Sequence, residues 1–263
     1  MSNFSDRYHL NLFHQGKGSE IDYYFTQETD NKVFDCENLH ISMLAMDFKE
    51  GQSRKYRKQL ENHWIDLLPQ LDKVKTLSIR HIVTQAFFEA ICKMKNLERL
   101  FFWTSNVEDI SNIKNLKKLK RLRLERFSRL SDISILLELK ELRLLSVLNS
   151  FKIDNYELIG KMTDLIGLTI RGDETAPKNL RLASLKPFEG LTNLRHLDLS
   201  ATSVIDKSYD SIVKMISLER FDITVGIDKL KRDLIKSKAK ALKAGFFMAW
   251  DYENRKFYPH INW

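Results

Sequence analysis

Cysteine is almost absent from this 263-residue chain, with Cys36 and Cys92 the only two. Two isolated thiols rule out a disulfide framework and fit reduced cysteines in a cytoplasmic protein. Long apolar runs are missing, so no segment reads as a membrane span. The start, MSNFSDRYHLNLFHQGKG, lacks the basic end, apolar core and small-residue cleavage site of a secretory signal. The nine glycines are scattered and form no phosphate-cradling loop, and neither H-E-x-x-H nor G-x-S-x-G occurs. Cys92 falls on the apolar helical face of Phe87–Cys92, the setting of a structural thiol. Cys36 sits between Asp35 and Glu37, without the positive surroundings that activate a thiolate. The seven histidines are dispersed, which speaks against a metal site. No catalytic residue, cofactor or metal ligand is therefore expected, and the chain reads as a non-enzyme.

What is abundant is apolar and charged surface. Apolar residues make up 43 % and charged residues 30 %, with a formal charge of +8. A basic balance points to an acidic partner, nucleic acid or anionic lipid. The excess is concentrated in Lys114–Arg126 (KNLKKLKRLRLER) and Lys229–Lys243 (KLKRDLIKSKAKALK). Most of it serves as solvated outer face.

The apolar residues follow one spacing, L-x-x-L-x-x-L-x-L. It occurs at Leu116/Leu119/Leu122/Leu124 and at Leu191/Leu194/Leu197/Leu199. The same frame is read at Leu71–Ile79, Met94–Phe102, Leu136–Leu144, Met162–Ile170 and Met215–Ile223. Taking Leu77, Leu100, Leu122, Leu142, Leu168, Leu197 and Phe221 as equivalent gives intervals of 23, 22, 20, 26, 29 and 24 residues. The L-x-L end alternates as a short strand does. One such unit cannot bury its apolar edge, but stacked copies share a continuous core.

This pattern resembles the leucine-rich repeat family over about residues 67–225. Val107-Glu-Asp-Ile110, followed by Ile113, Leu116 and Leu119, is similar to the short, bacterial, internalin-like unit, and Leu130-Ser-Asp-Ile133 repeats it. The resemblance implies an α/β, right-handed solenoid with a parallel sheet on its concave side, and a bacterial source. The family usually places Asn after the strand, where this chain has Ser105, Phe127 and Thr202. Ile170–Leu191, with Pro177 and Pro187, reads as an insertion between repeats.

Three segments follow. Residues 1–66 read as an N-terminal β/α cap, 67–225 as about seven repeats, and 226–263 as a C-terminal cap of helix plus hairpin. The first cap has alternating stretches at Tyr8–His14 and Leu39–Met43, the latter a degenerate repeat strand. It also has a helix over 51–68, whose stripe Tyr56, Leu60, Trp64, Leu67 faces inward and which Pro69 ends. The last cap has a helix over 228–243 with Leu230, Leu234, Ile235 and Leu242 inward. A hairpin follows, between 245–250 and 256–261.

With the strand leucines in the core, the residues between them face outward. Read this way, Arg99, Phe101, Trp103, Arg121, Arg123, Arg143, Leu145 and Arg171 gather as candidate partner-binding residues, with Asp198 and Asp222 further along. Outward Phe and Trp among arginines suit a protein interface. The expectation is a protein partner with an acidic patch, in an inhibitor or immunity-type role. Nucleic-acid binding through the basic patches is the alternative.

Overall fold

In the computed structural model, residues 23–25, 31–44, 54–173, 178–242, 250–251 and 256–257 are described. They fall in two compact units, one spanning 18–142 with 152–155, the other 143–151 with 156 onward.

The first unit holds strands β1 (Tyr23–Phe25), β2 (Asn38–Ile41), β3 (Thr76–Val83), β4 (Arg99–Ser105) and β5 (Arg121–Glu125), paired in chain order and all parallel. Leu39, Leu77, Leu100 and Leu122 stand side by side in register, so the Leu39/Ile41 pair does take a repeat-strand position. The second unit holds β6 (Leu144–Leu148), β7 (Gly167–Arg171), β9 (His196–Leu199) and β11 (Arg220–Ile223), also parallel. The insertion contributes β8 (Leu180–Leu182), which pairs with β10 (Thr202–Val204) in a separate two-stranded sheet. Of the expected C-terminal hairpin, β12 (Trp250–Asp251) and β13 (Lys256–Phe257) are described and pair antiparallel. The Tyr8–His14 stretch lies outside the described residues.

Register comes from a repeated backbone device. The carbonyl just before each strand accepts two N–H groups from the next repeat: Lys75 from Glu98 and Arg99, Glu98 from Lys120 and Arg121, Ile166 from Arg195 and His196. Side chains at the same positions alternate in sign, giving Lys75–Glu37 (2.8 Å) and Lys120–Glu98 (3.0 Å) ion pairs. Being exposed, such pairs contribute about 0–1 kcal/mol each, so leucine burial carries the stability.

In place of the family's asparagines, hydroxyls tie neighbouring turns. Ser105 Oγ donates to the Val83 carbonyl (3.3 Å) and accepts from Val107 N–H (3.0 Å). Thr202 Oγ1 donates to the Ile170 carbonyl (2.7 Å). Phe127, which can do neither, meets Phe102 edge-on (5.5 Å), and Phe102 meets Phe88 (5.9 Å), so an aromatic spine replaces the polar tie there.

One repeat is phased differently from the expectation. Leu145, not Leu142, pairs with Leu168, and Val147 pairs with Ile170. Leu145 is fully buried, so it is a core residue rather than an outward one. The left-handed residues that follow three of the strands agree. Arg126 (φ 52°), Asn149 (φ 53°) and Ala201 (φ 50°) each follow by two the last inward residue, Leu124, Val147 or Leu199. With Leu145 in place, the intervals 20 and 26 become 23 and 23.

Helices appear where a repeat is longer or an end needs cover. Helix α1 (Arg54–Leu67) buries Leu60, Trp64 and Leu67, and Pro69 sits in the 3₁₀ turn that follows. Helix α2 (Gln85–Ile91) starts at Thr84, whose hydroxyl accepts from Phe87 N–H. Helix α3 spans Asp210–Lys214, and α4 spans Lys229–Lys238 with Asp228 capping it by accepting from Lys231 N–H. The expected inward set of α4 is corrected: Ile235 and Leu242 are buried, whereas Leu230 and Leu234 are exposed.

Candidate functional site

Five of the eight candidate residues lie on the outer face of β3–β5, all within the first unit. The pleat places Arg99, Phe101 and Trp103 along β4, with Arg121, Arg123 and Glu125 beside them on β5. The arginines lie over the aromatics. Arg121 Cζ is 5.0 Å from the Phe101 ring centroid, and the Trp103 ring lies near two guanidinium groups, Arg123 at 4.9 Å and Arg80 at 5.7 Å. These are cation–π distances.

Exposure divides the set. Phe101 is only 7 % exposed, and Arg121 and Arg123 are also buried. The expectation of Phe101 as an outward anchor is therefore corrected: it forms the floor beneath the Arg121 guanidinium. Trp103 and Arg99 are half-buried and Arg80 is exposed. Arg123 Nε donates to Glu125 Oε2 (3.1 Å), a carboxylate that is itself buried. The Trp103 Nε1–H and the Arg99 Nε–H are shielded from solvent and have no acceptor. A shielded donor without an acceptor costs about 1–3 kcal/mol.

The edge of the site comes from a bulge that sequence reading did not locate. Ile79 pairs with Phe102 but Ile82 pairs with Thr104, so three residues of β3 face two of β4. The extra residue turns His81 inward, edge-on to Phe87 at 5.1 Å, and leaves Ile82 54 % exposed. Bulges re-aim side chains at such edges. The available signal was the length of Thr76–Val83, which continues past its L-x-L pair.

The other three candidates lie in the second unit. Arg143 precedes β6, half-buried, with Nη1 4.0 Å from Asp164. Leu145 is in the core. Arg171, at the end of β7, has Nη1 3.8 Å from Asp198 Oδ2. The outer face there presents Ser146 and Thr169, then Asp198 in register with Asp222. Burial, followed by the charge of Asp222, pushes the Asp198 carboxyl up to about 6, against the opposing pull of Arg171 and of the Ser200 hydrogen bonds.

Both cysteines are buried and outside any disulfide; the Cys36 thiol donates to the Val33 carbonyl (3.2 Å), and burial pushes the Cys92 thiol up to about 12. Among the described residues, no three His, Cys, Asp or Glu side chains are grouped to hold a metal, and no helix is long and apolar enough to cross a membrane.

No protein-family model and no curated protein match the sequence. Solved structures do. An internalin (inlF) from Listeria monocytogenes shares 22 % identity at a TM-score of 0.51, over 68 % of this chain and 48 % of that one. A leucine-rich repeat protein of Leptospira interrogans shares 17 % identity at a TM-score of 0.56, over 84 % of this chain and 51 % of that one. The chain thus spans about half the length of each. Its fold is the α/β leucine-rich repeat solenoid, with the parallel sheet found above.

Proposed function

We propose that this chain is a non-enzymatic protein-binding module whose β3–β5 outer face takes an acidic surface of a protein partner. The observation that carries the reading is Trp103, near the guanidinium groups of Arg80 and Arg123 with its shielded indole N–H unmatched. A partner carboxylate or main-chain carbonyl supplies the missing acceptor, and the ring supplies apolar contact. Trp and Arg dominate the energetics of protein interfaces. Arg99 brings a second unmatched donor, and Ile82 an apolar shoulder. Arg80, exposed, and Arg99, half-buried, bring positive charge for an acidic patch, with Arg121 over the Phe101 ring, whereas the charge of Arg123 is met by Glu125. Its finer role is of the inhibitor or immunity type, and two buried cysteines outside any disulfide suit the cytoplasm.

The test is affinity capture from lysate, followed by calorimetric titration of the captured protein with Trp103→Ala and Arg80→Glu variants. Each is expected to weaken binding by more than about 2 kcal/mol, with the exposed Arg80→Glu change leaving the melting curve unmoved. A partner that binds both variants with unchanged affinity refutes the reading. So does a strong, steeply salt-dependent affinity for duplex DNA or RNA, which would favour phosphate recognition.

A further inference from the structure

The exposed face of α4 is unusual for a capping helix. Leu230 is 84 % exposed and Leu234 40 %, one helical turn apart on the same side. Around them the helix carries Lys229, Lys231, Arg232, Lys236 and Lys238 against Asp233 alone, a net charge of +4. Beside Leu234 lies a cleft of about 110 Å³, lined by Tyr209, Val213, Leu234 and Ile235, with two cations, Lys207 and Lys231, against one carboxylate, Asp210. It is smaller than the roughly 150 Å³ cavity that admits benzene, which suits one aliphatic side chain.

A second observation points to a ligand. Tyr209 lines this cleft, is 3 % exposed, and its hydroxyl has no hydrogen-bond partner. Burial, with Asp206 and Asp228 nearby, raises its pKa and keeps the hydroxyl protonated, a donor awaiting an acceptor. Lys231 Nζ stands 6.0 Å from the Tyr209 ring.

We infer that the cleft between α3 and α4 docks an acidic peptide segment of a protein partner. One apolar side chain of the segment enters between Val213, Leu234 and Ile235. A main-chain carbonyl accepts from the Tyr209 hydroxyl. The flanking Asp or Glu residues meet the lysines of α4, and Leu230 extends the apolar contact. A bilayer fits less well, because two leucines are too narrow an apolar stripe to insert. This inference is independent of the β3–β5 reading.

Two fluorescein-labelled heptapeptides test it by anisotropy on the full chain: Glu-Asp-Glu-Leu-Glu-Asp-Glu and the same sequence with alanine at the centre. The leucine peptide is expected to bind about tenfold more tightly, from burial of its extra methylene and methyl groups. Leu234→Glu and Lys231→Glu should each abolish binding, whereas Lys117→Ala, at an exposed position of the other unit, should leave it unchanged. Leu230→Glu, at a position too exposed to disturb folding, should weaken it. Equal binding of the two peptides overturns the inference. So does leucine-peptide binding that survives Leu234→Glu, or association with phosphatidylglycerol vesicles but with neither peptide.

Discussion

Leu145→Ala tests the phase of the repeat that sequence spacing misplaced. Leu145 is fully buried in β6, in register with Leu168, and equivalent in its repeat to the equally buried Leu122. Truncation to alanine removes three buried carbons and leaves a cavity between stacked repeats, which costs about 2–5 kcal/mol. With a urea slope of about 2 kcal/mol/M, the unfolding midpoint should fall by about 1–2.5 M. Arg143→Ala is the control. Arg143 is half-buried, and its 4.0 Å approach to Asp164 is a weak contact, so its loss should stay within about 0.5 kcal/mol. The assay is urea denaturation followed by far-UV circular dichroism, with Leu122→Ala measured alongside. If Leu145→Ala shifts the midpoint no more than Arg143→Ala does, Leu145 is not in the core and the reasoning fails.

Replacing Glu125 by alanine should destabilise the first unit by about 3–5 kcal/mol, because Arg123 remains buried without its carboxylate; thermal melts of Glu125→Ala against Glu125→Gln measure it. Asp198 has a folded pKa raised above its unfolded value, to about 6, so the folded state holds the extra proton. Its contribution therefore falls as pH rises from about 4 to about 6 and is level above that, and Asp198→Asn should flatten the dependence in urea midpoints taken across this window. Gly160→Ala should lower stability by more than about 1–3 kcal/mol, since a Cβ there would lie 2.0 Å from the Pro187 carbonyl oxygen; a wild-type melting temperature would contradict that contact.

Fold class was legible because burial in this architecture is periodic. Every L-x-L pair except one fell on a strand in the expected phase, and the exception has a physical cause. Between Leu136 and Leu148, leucines occupy both faces of the chain, so Leu142/Leu144 and Leu145/Val147 both complete an L-x-x-L-x-x-L-x-L frame. Counting from the preceding motif resolves it. Leu130 and Ile133 stand to Leu145 as Val107 and Ile110 stand to Leu122, fifteen and twelve residues ahead. The candidate site was legible as a column of residue types on β4 and β5. Its depth was not, because an arginine that lies over its neighbour's ring hides both from solvent, and spacing carries no sign of that. The β3 bulge and the outward leucines of α4 escaped for a related reason, since local periodicity does not say which side a neighbouring element covers.

The three-residue step that precedes each strand also bears on how such a chain changes length. A deletion or insertion of one L-x-x triplet moves the following strand along by a whole step and still presents a leucine to the core at every third position. The step acts as a ratchet, in which triplet changes are absorbed before the strand and the outer face is re-dealt. Single-residue changes instead throw every side chain of the strand to the wrong side. Variation in repeat length can therefore alter a binding face while the hydrophobic spine keeps its beat.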